Sequence, residues 1–247
     1  MLDKKITSIA DMIKELKNLS DPGKGPVWYR GHADKSWELK PNYDRLTNPI
    51  QEIELFTQFR QNANLLLTQP PSKPNDFSWM FLMQHYGVPT RLLDWSESPL
   101  VALYFAVEDK NPDNLNKDAA LWLLYPNELN KHSTNDKVYI PSFEDDWLNN
   151  YTVESYSKGK DNGILPLAAI ATRNSARIQA QLGVFTISHL KKTPLEKIED
   201  KKHCIKLIIP KAAKAKLKDE LKTLGISRFQ IFPELSSIGE ILKERLM

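Results

Sequence analysis

Apolar residues recur along this chain at two periods, about 3.6 and 2, and the points where one gives way to the other outline its elements. Ile6, Ile9, Ile13 and Leu16 fall at helical spacing, so Ile6–Leu19 is a predicted helix, stopped by Asp21-Pro22-Gly23. Pro26–Arg30 reads as a short strand of large side chains, and Trp37-Glu38-Leu39 as a shorter one. Gln51–Thr68 returns to helix, with Ile53, Phe56, Phe59, Ala63, Leu66 and Leu67 on one face. Prolines make Pro70–Asp76 a loop. Asp76 suits the cap of a helix running to about Tyr86. Gly87-Val88-Pro89-Thr90 turns the chain into the short segment Arg91–Trp95, and Ser98-Pro99 opens a helix over Leu100–Val107.

Asn111–Asp118 reads as a polar loop. Ala119–Tyr125, Ile164–Thr172, Gly183–Ile187 and Cys204–Ile209 then read as strands. Asn174–Gln181, Lys211–Leu224 and Leu235–Leu246 have helical character. Residues 126–163 are polar and irregular and receive no element. Strands and helices do not alternate, which argues against a doubly wound parallel sheet. The expectation is an α+β fold, a single domain over residues 1–247 with a mixed or antiparallel sheet flanked by helices.

Composition refines this picture. At 247 residues and 41% hydrophobic content, the chain can bury a core without covalent staples. Its one cysteine, Cys204, excludes an internal disulfide framework and a cysteine-based zinc cluster. No apolar run follows Met1-Leu2-Asp3-Lys4-Lys5, and no stretch approaches the roughly 18 apolar residues of a membrane span. A cytoplasmic location is therefore the expectation. The net charge of +3 does not by itself argue for nucleic acid. Lysines do cluster in Lys191–Lys202 and Lys206–Lys222, the second reading as a solvated helix face.

Three segments mix charge, amide, imidazole and aromatic groups inside apolar surroundings. In Trp28-Tyr29-Arg30-Gly31-His32, an arginine beside a glycine offers a charged fork next to open backbone, suited to phosphate or carboxylate; a buried Arg–Asp pair is the alternative. Gln84–Ser96 includes His85, Tyr86, Arg91, Asp94 and Trp95, which are either mutually satisfied or open to a cleft. An ion pair of Asp94 with Arg91 or Arg30, bracing the fold, is the structural reading there. The third segment, Arg177–Phe185, places Gln179 and Gln181 ahead of a glycine and an apolar strand. Glycine-rich nucleotide loops, the zinc-protease His-Glu-x-x-His and the Gly-x-Ser-x-Gly elbow are all missing.

At these segments the sequence resembles the FRG-domain family, named for a Phe/Tyr-Arg-Gly motif that stands here as Tyr29-Arg30-Gly31. Its most distinctive block looks like Gln84–Ser96 followed by Ser98–Ala106, and Ile231-Phe232-Pro233-Glu234-Leu235 also looks familial. The motif core spans about residues 26–106 and 174–209. A more distant similarity is to ADP-ribosyltransferases of the Arg–Ser–Glu type. Arg30-Gly31 is similar to their first element, Asp94-Trp95-Ser96 leading into Ala102–Ala106 to their second, and Gln179-Ala180-Gln181 takes the place of their Glu-x-Glu.

That similarity implies NAD as substrate and transfer of ADP-ribose to a protein or nucleic acid, as a bacterial toxin or antiphage effector with an antitoxin partner. It assigns Arg30, Asp94, Ser96 and Gln181 to catalysis, and Tyr29, Gly31, His32, His85, Tyr86, Arg91, Trp95, Tyr104 and Gln179 to binding. Gln181 departs from the pattern, because an amide cannot act as base or anion. Asp94 is then the candidate for the missing charge. A non-catalytic nucleotide- or nucleic-acid-binding module is the main alternative, and a different enzyme, such as a nuclease or hydrolase using His85, Arg91 and Asp94, a third.

Overall fold

The computed structural model describes residues 4–47, 50–71, 76–108, 111–133, 139–159, 163–173, 175–199, 201–244 and 246. Met1-Leu2-Asp3, positions 72–75 of the expected proline loop, positions 134–138 and 160–162 of the unassigned stretch, and the expected helix start at Asn174 lie outside them.

Six strands, β1 Trp28–His32, β2 Leu92–Ser96, β3 Ala119–Leu124, β4 Leu167–Ala169, β5 Gly183–Ile187 and β6 Cys204–Ile209, form one sheet in the order β4-β5-β2-β1-β3-β6. Every ladder between them is antiparallel, so the α+β expectation holds and the mixed-sheet option drops out. The helices among the described residues are α1 Ile9–Leu19, α2 Glu52–Ala63, α3 Asp76–His85, α4 Pro99–Val107, α5 Pro112–Leu115, α6 Pro126–Ser133, α7 Val153–Ser157, α8 Ala176–Ala180, α9 Lys214–Thr223, α10 Arg228–Ile231 and α11 Leu235–Glu244.

The two-residue pleat sorts side chains onto two faces. Leu121, Leu123, Leu207 and Ile209 meet α1, α4 and α9 on one face through Ile9, Met12, Leu103, Leu217 and Leu221. Further along the sheet, Leu92, Phe185, Ile187 and Leu167 pack with α2 and α3 through Phe56, Phe77, Met80 and Met83. The alternate residues Trp28, Leu93, Trp95, Trp122 and Val184 fill the other face together with Leu39, Leu129 and Ile198. Each such side chain contributes about 1.5–3 kcal/mol by leaving water.

Helix α4 begins where expected, with Ser98 accepting a hydrogen bond from Val101 N–H and proline in the first turn. It lies so close to β1 that a Cβ on Gly31 would stand 1.9 Å from the Ala102 carbonyl oxygen and 2.6 Å from the Ala106 nitrogen. Gly31→Ala is therefore expected to cost about 3 kcal/mol or more by overpacking, read as a lowered urea midpoint. An unchanged midpoint would show that α4 can move away freely.

Some expected elements end early or are replaced. Trp37–Leu39 is not a strand: it is loop, in which Leu39 N–H donates to Glu196 Oε2 and the Leu39 carbonyl accepts from Leu195. The helix expected over Gln51–Thr68 stops at Ala63, leaving Leu65 and Leu66 exposed. The Ile164–Thr172 strand shrinks to β4, and the polar loop at Asn111–Asp118 contains α5. The unassigned stretch from 126 onward holds α6 and α7. In α9, Lys214 departs from the solvated-face expectation, since it is buried and donates to the Ala33 and Asn114 carbonyls at 2.7 Å each. Among the described residues, no helix is long and apolar enough to cross a membrane.

Candidate functional site

Strand β2 is fully paired with β5 along one edge, from Leu92–Ile187 to Ser96–Gly183. Along its other edge, the only position paired with β1 among the described residues is Ser96, opposite Tyr29. Arg30 and Asp94 lie just past that pair. Arg30 spans the gap by side chain: Nη1 donates to the Asp94 carbonyl at 2.6 Å and Nε donates to His32 Nε2 at 3.1 Å. The Asp94 carboxylate stands 3.9 Å from the same guanidinium. A side chain thus joins the strands where ladder hydrogen bonds are lacking.

The Asp94 carboxylate projects into a cleft of about 460 Å³ between α3, β2, β5 and α8. Phe81, Gln84 and His85 reach it together because positions three and four apart share a helix face, while Phe77, Met80 and Met83 anchor the other side of α3 in the core. Gln84 Nε2 donates to Asp94 Oδ2 at 2.6 Å, and its Oε1 accepts from the Thr90 hydroxyl at 3.0 Å, which fixes the amide's orientation. Asp94 is nevertheless 53% exposed. Its free surface faces a wall containing Phe185, Ile178 and Phe81, with His85 and the exposed Tyr86 in edge contact at 4.9 Å between ring centres.

The opposite wall rests on an unusual backbone. Leu182 has φ of 46°, a left-handed conformation that costs a leucine about 1–3 kcal/mol. That turn sets Gln181 into the cleft, where its Nε2 donates to the Ile231 carbonyl at 3.1 Å. Behind it, the Gln181 carbonyl accepts from the Ser96 hydroxyl at 2.7 Å.

Of the residues singled out from sequence, the fold brings Asp94, Gln181, His85 and Tyr86 together here, with Trp95 in the wall. The Trp95 indole itself is buried on the other face and donates to Thr186 Oγ1 at 3.1 Å. Ser96 is buried, its oxygen committed to Gln181 and to Ser98 N–H. Arg30 stands behind Asp94 rather than in the cleft lining. Gly31 offers no open backbone, being pressed against α4. Tyr29 and Tyr104 belong to the core around α4, and burial pushes the Tyr29 phenol up. Gln179 is exposed on α8, away from the cleft lining. Arg91 is fully buried and pairs not with Asp94 but with Glu52 at 2.6 Å; it also donates to the Ser188 and Tyr151 carbonyls at 2.7 Å each, with Tyr156 stacked at 4.0 Å.

His32 is buried between Trp37 and Trp122. Burial, reinforced by the neighbouring Arg30 charge, pushes its imidazole down to about 2, so it stays neutral. The unfolded chain protonates such a ring near 6.5 and the folded one does not, so stability is full above 6.5 and falls as pH drops below it. The expected slope from His32 is about 1.4 kcal/mol per pH unit between 6.5 and 5. Urea titrations across that range check it, and His32→Gln should be shallower; an equal slope would assign the loss to other groups.

Gln84, Arg177 and Phe185 complete the cleft without having been singled out individually. The signal for Gln84 was its i+3 spacing from Phe81; α8 is too short for periodicity to point Arg177 anywhere.

Fold and cleft together define an α+β protein with a ligand-sized cavity beside the β5–β2 pair of its antiparallel sheet. Residues 25–115 of the chain match the family model of the FRG domain. The match spans β1 through α5 and so supplies α3 and β2, while the β5–α8 wall lies beyond it. No curated protein and no solved structure matches the chain.

Proposed function

We propose that the cleft binds a nucleotide of the NAD type, cleaves its nicotinamide–ribose bond and passes ADP-ribose to a macromolecular acceptor. The observation that carries this reading is Asp94: an exposed carboxylate, held by the Gln84 amide and the Arg30 guanidinium, beside aromatic walls in a cavity of ligand size. The electron pair of the breaking C–N bond leaves with the nicotinamide nitrogen, and positive charge develops on the sugar carbon. The acceptor then supplies an electron pair to that carbon and loses a proton. A carboxylate already oriented by its neighbours stabilises the developing cation without reorganising. Gln181 cannot do this as an amide, and its Nε2 is tied to Ile231. Asp94 takes the role. Phe81, Tyr86 and Phe185 offer ring faces for stacking the base.

The test is incubation of the intact chain with radiolabelled NAD and cell lysate. Released nicotinamide and a labelled macromolecule are expected. If NAD binds and is recovered intact, the tethered Gln181 marks a binding module instead. If NAD neither binds nor reacts, the nucleotide reading fails.

A further inference from the structure

We infer that Arg177, and not Arg30, is the phosphate anchor of this cleft. The inference rests on the nucleotide reading above and adds which group meets the diphosphate. The three arginines of the motif segments differ in how many N–H donors they have left. Arg91 spends Nε, Nη1 and Nη2 on Glu52, Ser188 and Tyr151 and is fully buried. Arg30 spends Nε and Nη1 on His32 and Asp94 and stands behind the cleft wall. The Arg177 guanidinium has no hydrogen-bond acceptor among the described residues, lies 34% exposed, and lines the cleft.

Arg177 is also the only lysine or arginine among the residues described as lining the cleft, just as Asp94 is the only carboxylate. An anionic ligand there has one cation to meet. Arg177 is positioned for that role without being neutralised by a close pair. Phe232 stacks under the guanidinium at 4.8 Å, and Glu234 Oε1 stands 3.9 Å from Nη1 and 4.0 Å from His85 Nδ1. At those separations Glu234 steers the charge but leaves the donor edges open. Gln181 Nε2 on the Ile231 carbonyl keeps this stretch of chain against the wall. A guanidinium with uncommitted donors matches the paired oxygens of a phosphate. A dinucleotide then lies with its diphosphate at Arg177 and its nicotinamide-bearing sugar at Asp94.

The test compares NAD with nicotinamide mononucleotide and nicotinamide riboside, which share its nicotinamide and ribose, the first keeping one phosphate and the second none, in calorimetric titrations. The wild-type chain is expected to bind NAD more tightly than the riboside. Arg177→Gln should weaken NAD about tenfold to a hundredfold, the worth of charge-assisted hydrogen bonds, and leave the riboside unchanged. Arg177→Lys should fall between. Lys218→Gln, which removes the same charge from the exposed face of α9, should change nothing. If the wild type prefers NAD but Arg177→Gln binds it equally well, the anchor assignment is overturned and the nucleotide reading stands. Wild-type chain that binds neither compound overturns both. Circular dichroism confirms that each variant is folded.

Discussion

Asp94→Asn is expected to reduce nicotinamide release by about a hundredfold or more, while NAD affinity stays within a fewfold of wild type. The asparagine oxygen still accepts from Gln84, so shape and hydrogen bonding survive; what goes is the negative charge facing the sugar. Losing one preorganised electrostatic partner of a transition state costs about two to three orders of magnitude. Half of the side chain is in solvent, so little folding stability rests on it. Turnover and affinity measured on the same preparation decide the matter. Unchanged turnover would remove Asp94 from the chemistry; equal losses in both would make it a binding group only.

Arg91→Ala should have the opposite signature, a large loss of stability. Its removal leaves the buried Glu52 carboxylate without its cation and two carbonyls without donors. Breaking a buried pair in this way costs about 3–5 kcal/mol, a large share of the roughly 5–15 kcal/mol that holds a domain. The variant is expected to unfold at much lower urea, or to accumulate poorly. Arg91→Met combined with Glu52→Leu should lose less than Arg91→Ala alone, because no unpaired charge remains. A single variant that unfolds at the wild-type midpoint would show that the pair braces nothing.

Much of the fold was legible because its signals are local. Ser98-Pro99 marks a helix start by capping and proline geometry, and Ala119–Leu124 declares itself by a run of apolar residues buried on both faces. Trp37–Leu39 misled because large apolar residues suit a buried loop as well as a strand: Leu39 earns its burial through hydrogen bonds to Leu195 and Glu196, which local pattern cannot reveal. The lining of the cleft was legible by segment but not by residue. Arg30, Arg91 and Arg177 look alike in sequence; what separates them is the number of donors already spent, and all but one of those acceptors, His32, come from elsewhere in the chain. Gly31 stands beside the motif arginine yet answers to α4, a constraint visible only once the helix lies on the strand.

The two walls of the cleft come from opposite halves of the chain, and the Ser96–Gln181 contact behind it closes a span of 85 positions. Such distant pairings form late, after the entropy of closing a long loop has been met. During synthesis, α3 and β2 leave the ribosome well before β5, α8 and the Phe232–Glu234 support. A nascent chain therefore presents the α3–β2 wall with half a cavity, and the other half closes only after β5, α8 and the segment around Ile231 have followed.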